Sequence, residues 1–185
     1  MIYRSKETVC SITVPRDPEY LALVQDILEH PLVRSMEAYT QHGETSCLRH
    51  SINVSYLSYL YCRDHGWQAR AAARAGLLHD LFLYDWHTHA KRTGEHFHGL
   101  THPKVALLNA SRYFDLTPLE KDIIRKHMWP LTLMPPRYPE SFLITLTDKY
   151  SGAREVAEYY AGKVNPGRLK LPFGYRGIQL LARKW

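Results

Sequence analysis

The feature that most constrains the fold of this chain is a series of single histidine and aspartate residues separated by 29, 23, 25 and 21 residues. One helix of about 12 to 15 residues and a connecting loop of about 2 to 8 account for an interval of this size. The spacing therefore predicts a bundle of four or five helices, each of which turns one of these side chains toward a common centre. The series comprises His50, the doublet His79-Asp80, His102, His127 and Asp148.

The side chains of this series offer nitrogen and oxygen donors. Neutral imidazole and carboxylate groups suit divalent transition metals, so the ordered set predicts a metal site. A single histidine outside such a set is more often packed in a core or solvated. Three of the others are predicted near helix ends, where they would interact with the helix dipole. Four are predicted on the surface, although they could also contact substrate or metal from a loop. These seven are His30, His42, His65, His87, His89, His96 and His98.

Length and composition predict one soluble, cytoplasmic domain. At 185 residues, 45% of them hydrophobic, the chain is long enough to bury a sizeable core. No segment approaches the roughly 18 consecutive apolar residues of a membrane span, and the N-terminus lacks the order of a signal peptide. The three cysteines form no ligand or disulfide pattern and are expected to be reduced.

The net charge of +6 is concentrated at the C-terminus. Residues 163–185 contain six basic residues and no acidic residue. Such a tail can attract nucleic acid or anionic substrates. The same segment also carries apolar residues such as Leu180, Leu181 and Trp185, which favour a packed basic extension with solvated charges.

The rest of the sequence predicts an all-α fold, a helical bundle that follows a short β-prone stretch at Thr8–Val14. Capping residues and apolar spacing define most helix starts, including a capping box at 117–120. Residues 84–100 break the periodicity and are predicted to form one long loop, a candidate lid. The predicted helices cover about residues 18–29, 31–41, 46–65, 68–80 and 101–114, then a helix that presents His127, and finally 140–161.

The order of these ligand candidates resembles the HD-domain superfamily of metal-dependent phosphohydrolases, an all-helical family. The similarity spans about residues 45–155, with 1–44 as N-terminal helices of the same domain. The segments 48–54, 75–80 and 146–150 resemble the family's ligand-bearing helices, although Leu81-Phe82 follows the doublet where the common version has Ile-Gly. The interposed His102 and His127 are similar to members with a dinuclear centre, which include bacterial enzymes that split diadenosine polyphosphates.

The resemblance implies two metal ions and a hydrolytic reaction. It implies that one ion is bound by His50, His79, Asp80 and Asp148, and that a second is bound by His102, His127 and a bridging Asp80. The mixed donor set fits iron, manganese, cobalt or zinc better than calcium or magnesium. Two such ions can activate a shared water for attack on a phosphoryl group.

Several residues are candidates for contacts with a phosphorylated substrate. Three residues are predicted to be catalytic: the bridging Asp80, Lys104 as a cation, and Asp85 as a proton donor or a partner of a ligand histidine. A solvated or capping role suits Asp85 as well. Other cations near the ligands or in the predicted lid are Lys91, Arg92, Lys126, Lys149 and Arg154. Aromatic residues that could stack a base, or pack in the core, are Trp86, Trp129 and Tyr150.

We therefore expect a phosphohydrolase that cleaves a phosphoester or phosphoanhydride, with a nucleotide as the expected substrate. Three other functions stay open. The first is a non-hydrolytic nucleotide-binding or regulatory protein with a structural metal site. The second is a nucleic-acid-binding module that uses the basic tail. The third is another metal chemistry on the same fold, such as oxidation at a di-iron centre.

Overall fold

A computed structural model describes residues 14–94 and 97–164, without the side chains of residues 90–92, 162 and 164. The β-prone stretch Thr8–Val14, apart from its last residue, and the basic extension beyond residue 164 lie outside the described residues. The described chain is all-α, as predicted, with one two-stranded sheet of very short strands. Its helices are α1 (Pro18–Leu28), α2 (Pro31–Ser35), α3 (Cys47–Asp64), α4 (Ala69–Leu78), α5 (Trp86–Thr93), α6 (His98–Tyr113), α7 (Pro118–Lys126) and α8 (Pro139–Val164).

The helix starts follow from capping chemistry. Asp17 caps α1 by accepting hydrogen bonds from the backbone N–H groups of Glu19 and Tyr20, each at 3.1 Å. Ser46 caps α3 through the N–H of Arg49. The predicted capping box of α7 is present, because Thr117 and Glu120 each accept from the other's backbone N–H.

The centre of the fold is the contact between α3 and α4. A Cβ atom added at Gly76 would lie 2.8 Å from the Cα of Ser55, so a glycine is needed for the two backbones to approach this closely. The Ser55 hydroxyl donates to the carbonyl of Ala73 at 2.6 Å and is hydrogen-bonded to the Tyr20 hydroxyl at 2.8 Å. Helix α3 is buried on most of its surface, and α1, α4 and α8 pack around it.

A β-hairpin replaces the end of the predicted second helix, so the prediction of a helix over residues 31–41 is wrong there. Helix α2 ends at Ser35 and is followed by a 3₁₀ turn, Met36–Ala38. Strand β1 (Thr40–His42) then pairs antiparallel with β2 (Thr45–Ser46). The reversal uses Gly43 at φ +60°, a conformation that glycine adopts without strain.

The prediction of one long loop over residues 84–100 is also wrong. Helix α5 occupies residues 86–93 of this segment, and α6 begins at His98 rather than near residue 101. The Asp85 carboxylate supports the start of α5 by accepting from the N–H of His87 and the hydroxyl of Thr88, both at 3.0 Å. The earlier start of α6 is stabilised by N–H groups that bond the carbonyl of Phe97.

Candidate metal centre

The structure brings all six predicted ligand residues together. His50 lies on α3, His102 on α6 and Asp148 on α8, while His79 and His127 occupy the C-caps of α4 and α7. Asp80 follows His79 directly. All six are buried, with at most 9% of any residue exposed. Five helices therefore deliver nitrogen and oxygen donors to one place.

Asp80 lies between two groups of histidines. Its Oδ1 is 3.2 Å from Nε2 of His102 and 3.5 Å from Nε2 of His127. Its Oδ2 is 3.3 Å from Nε2 of His79. The carboxylate thus presents one oxygen to each side, which is the arrangement that a bridging ligand requires.

Asp148 closes the side of the cluster that contains His50. Its Oδ1 lies 3.0 Å from Nε2 of His50 and 3.7 Å from Nε2 of His79. The ligand atoms of His79, His127 and Asp148 also lie within 4.8 Å of one another, as do those of Asp80, His102 and His127. The two groups of donors are therefore adjacent and share members.

Backbone carbonyls fix the orientation of three of the imidazoles. Nδ1 of His79 donates to the carbonyl of Gly76 at 2.8 Å, Nδ1 of His102 to that of His98 at 2.9 Å, and Nδ1 of His127 to that of Ile124 at 2.9 Å. A carbonyl can only accept, so Nδ1 carries a proton and Nε2 is the ring nitrogen that faces the centre. This partner on the far nitrogen is typical of metal-ligating histidines.

His50 is oriented by a carboxylate instead. Its Nδ1 lies 2.9 Å from Oε2 of Glu155, and the other carboxylate oxygen of Glu155 accepts from Nδ2 of Asn53 at 3.0 Å. A carboxylate that holds the far nitrogen of a ligand histidine is a common support of metal sites. Nε2 of His50 is thereby directed toward Asp148.

The carboxylates and imidazoles of the centre shift one another's pKa values. Burial acts to lower the pKa of His79, but Asp80 and Asp148 outweigh burial and raise it to about 9, so a bound cation would displace a proton from this ring. Burial raises the pKa of Asp80, but His79 and His102 outweigh burial and hold this pKa well below its usual range. Burial likewise acts against ionisation of Asp148, yet His50 and His79 keep its pKa low. Burial, together with His102, lowers the pKa of His127 to about 3. The carboxylates are therefore charged and the His127 imidazole is neutral.

The donor set fits a divalent transition metal. Nε2 of His102 and Nε2 of His127 lie 2.8 Å apart although both Nδ1 protons are already donated elsewhere. Two lone pairs that face each other at this distance are stabilised by a cation between them. Nε2 of His79 and Oδ1 of Asp80 are buried without a hydrogen-bond partner among residues 14–94 and 97–164. Cations bound by these donors would satisfy all four atoms.

A cavity of about 460 Å³ opens on this cluster. Ligand pockets of about 300 to 1,000 Å³ accommodate small molecules. Nζ of Lys149 donates to the carbonyl of His127 at 3.1 Å, and burial lowers the pKa of this lysine. The lining includes four of the predicted ligands, Asp80, His102, His127 and Asp148, and beyond them Gln41, His42, Trp86, His98, Gly99, Met128, Lys149, Gly152, Ala153 and Val156.

The two other residues predicted to be catalytic lie elsewhere. Lys104 is exposed on α6. Neither Lys104 nor Asp85 is among the described residues that line the cavity. Asp85 caps α5. Two of the remaining cations are engaged by acidic partners, Lys126 with Asp122 at 2.6 Å and Arg154 with Glu158 at 3.1 Å. The side chains of residues 91 and 92 lie outside the described residues.

Among the predicted aromatic contacts, the ring of Trp86 lines the cavity and stacks on His98, with 5.4 Å between centroids. His98 in turn stacks on His102 at 4.5 Å, so this histidine belongs to the site rather than to the surface. Trp129 and Tyr150 are not among the described lining residues. His96 lies outside the described residues.

Gln41 and Glu155 were absent from the sequence prediction of the site, and His42 was predicted to lie near a helix end as a partner of the helix dipole. Gln41 and His42 lie on β1, at the position where the predicted second helix was expected to end. Glu155 lies seven residues after Asp148 on the same helix. Positions seven apart share a helix face, so this spacing was a signal that could have identified Glu155.

A comparison with known protein families agrees with the metal centre described above. The family model for the HD domain matches residues 47–153, more than half of the chain. No solved structure matched the chain. The matched range contains all six clustered histidine and aspartate residues and excludes Gln41, His42 and Glu155. The chain therefore belongs to the HD domain family, a superfamily of metal-dependent phosphohydrolases.

Proposed function

We propose that this protein hydrolyses a phosphoester or phosphoanhydride bond of a small phosphorylated metabolite, with a nucleotide as the substrate class. The observation that carries the proposal is the Asp80 carboxylate between two groups of buried imidazoles whose Nε2 atoms face inward. The family membership supports the reaction class. The cavity next to these donors supports a small-molecule substrate.

The six donors are proposed to hold two divalent transition-metal ions. The first ion would be held by His50, His79, Asp80 and Asp148, and the second by Asp80, His102 and His127. Iron, manganese, cobalt and zinc all suit this nitrogen and oxygen set. When bound, a pair of divalent ions lowers the pKa of water toward neutrality and neutralises charge on a phosphoryl oxygen.

The residues of the cavity supply binding and orientation. Lys149 lines the cavity, and its ammonium group lies next to the proposed ligand His127. In this position it would bind a phosphate oxygen of the substrate. Trp86 offers an aromatic surface for a base. Histidines held through Nδ1 keep their Nε2 atoms fixed, so little reorganisation accompanies the reaction.

In the described ranges, no helix is long and apolar enough to cross a membrane.

The test is metal analysis of protein purified without chelator, combined on the same sample with a screen for phosphate release. The screen covers mononucleotides, dinucleoside polyphosphates and cyclic dinucleotides. We expect about two metal ions per chain and turnover of one substrate class. Asp80→Ala should lose both ions and the activity while the helical circular dichroism stays intact, whereas Asp85→Ala, at an exposed cap, should keep both.

Three results would each contradict a part of the proposal. A wild-type protein that binds no divalent ion would rule out the metal centre. Bound metal with stoichiometric nucleotide binding and no turnover in any metal would favour the regulatory alternative. Retained metal in Asp80→Ala would exclude a bridging role for this carboxylate.

A further inference from the structure

The β-hairpin brings an amide side chain against the centre of the proposed metal site. Nε2 of Gln41 donates to Oδ2 of Asp80 at 2.5 Å. The hydrogen bond spans 39 residues of sequence and lies in the buried interior. Gln41 is 8% exposed and also lines the cavity. It therefore contacts the one carboxylate that both groups of histidines share.

The position of Gln41 is fixed by the packing of the hairpin against α8 and α3. A Cβ atom added at Gly43 would lie only 2.8 Å from the Cβ of Tyr159 on α8, so the hairpin packs closely against this helix. Gly152, also on α8, leaves room for the ring of His42. The N–H of Cys47 donates to the carbonyl of Tyr39 at 2.7 Å, which closes the hairpin onto α3. The backbone of β1 is thus held from both sides.

The Gln41 amide contributes little to the stability of the fold. Its Oε1 is buried and has no hydrogen-bond partner in the described part of the chain. A buried amide oxygen without a partner lowers the stability of the folded state. A methionine of similar length would fill the same space without this cost. The hydrogen bond to Asp80 is the interaction that accounts for a glutamine here.

We propose that Gln41 is a positioning residue for the second divalent ion. A terminal carboxylate rotates with only broad preferences. A donor on Oδ2 fixes this rotation in Asp80, so that Oδ1 stays directed at Nε2 of His102 and Nε2 of His127. The inference rests on the proposed metal centre, and it concerns a residue outside the range that the family model matches.

The experiment is a titration of the metal-free protein with Mn²⁺, in which isothermal titration calorimetry measures the affinity for each ion. Gln41→Met keeps the bulk of the side chain and removes the donor. We expect about 10- to 100-fold weaker binding of one of the two ions, the range typical for partners of metal ligands. Gln41→Ala should show the same loss, and Thr40→Ala, at an exposed position of the same strand, should bind like wild type.

A double variant identifies the affected ion. In a His127→Ala background, which is expected to retain one ion, Gln41→Met should cause no further loss of affinity. An equal loss for that remaining ion would overturn the assignment to the second ion. Wild-type affinity for both ions in Gln41→Met and Gln41→Ala would overturn the positioning role while leaving the proposed function intact. A wild-type protein that binds no Mn²⁺ would instead overturn both.

Discussion

At the scale of single residues, the centre depends on which nitrogen of each histidine carries the proton. Three imidazoles donate through Nδ1 to carbonyls of their own helices, three or four residues earlier in the chain. This local hydrogen bond is available to any histidine near a helix end, so it costs the fold little. His50 is the exception, because its partner Glu155 lies 105 residues away on α8.

The long-range pair predicts an effect of Glu155 on metal binding. Glu155→Ala should weaken divalent metal binding by about 10- to 100-fold, because Nδ1 of His50 loses the acceptor that orients the ring. Glu155→Gln should lose less, since an amide oxygen still accepts. Calorimetric titration with Mn²⁺ measures both.

The matched control is Glu158→Ala on the next turn of α8, where the carboxylate pairs with Arg154 at a partly exposed position. This variant should bind Mn²⁺ like wild type. Equal affinities in Glu155→Ala and Glu158→Ala would show that His50 needs no support from Glu155.

The residues that the sequence identified and those it missed differ in a physical way. The His79-Asp80 doublet and its partners recur at helix-sized intervals, and such a pattern is visible along the chain. Gln41 reaches Asp80 only because a hairpin packs against α8. Tertiary contacts of this kind leave no local periodicity, so spacing alone could not place Gln41 at the site.

At the scale of elements, the donors are held by the close contact of α3 and α4. Gly76 lies at this contact, and its carbonyl also accepts the Nδ1 proton of His79. The same glycine therefore sets the helix spacing and orients a proposed ligand. Larger side chains at this position would separate the helix that carries His50 from the helix that ends at His79.

Gly76→Ala should lower the free energy of unfolding by about 1 to 3 kcal/mol, because the added Cβ meets the backbone of Ser55. Urea denaturation measures the change. Gly99→Ala on α6 is the control, since its Cβ would meet only the ends of the Leu131 and Met128 side chains. That variant should stay within about 1 kcal/mol of wild type, helped by the better helix propensity of alanine. A Gly76→Ala protein as stable as Gly99→Ala would show that α3 and α4 can move apart freely.

Long helices with clear apolar spacing or caps were predicted well, and the short segments were not. Asp17, Ser46 and the 117–120 box mark starts that the structure shows. The hairpin at residues 40–46 is too short to show strand alternation. Helix α5 is short and rich in histidine, so its apolar spacing is weak and residues 84–100 resembled a loop.

At the scale of the whole molecule, bound metal should contribute to stability. The proposed centre crowds carboxylates and lone pairs from five helices, and a cation bound only by the folded state stabilises it by mass action. At a free metal concentration about 100 times the Kd, the gain is about 2.7 kcal/mol. We therefore expect the Tm to fall when a chelator removes the ions and to recover when Mn²⁺ is returned.

Asp80→Ala serves as the control for this measurement, because it removes the shared carboxylate. Its Tm should not respond to chelator or to Mn²⁺. A Tm of the wild-type protein that is indifferent to both would mean that the buried donors hold no ion.

The fold class and the family were both predictable from the sequence, since they depend on the ligand order and the helix spacing rather than on single contacts.

The sequence distance between the partners has a consequence for how the centre comes into existence. His50 meets Asp148 across 98 residues, and α8 supplies both Asp148 and Glu155. On a ribosome, the histidines of α3, α4, α6 and α7 all emerge before α8. The nascent chain cannot enclose the first ion until α8 has been synthesised and docked. In the proposed centre, metal capture would therefore follow the docking of α8, and the metal content of a preparation would report how much of it has reached this stage of folding.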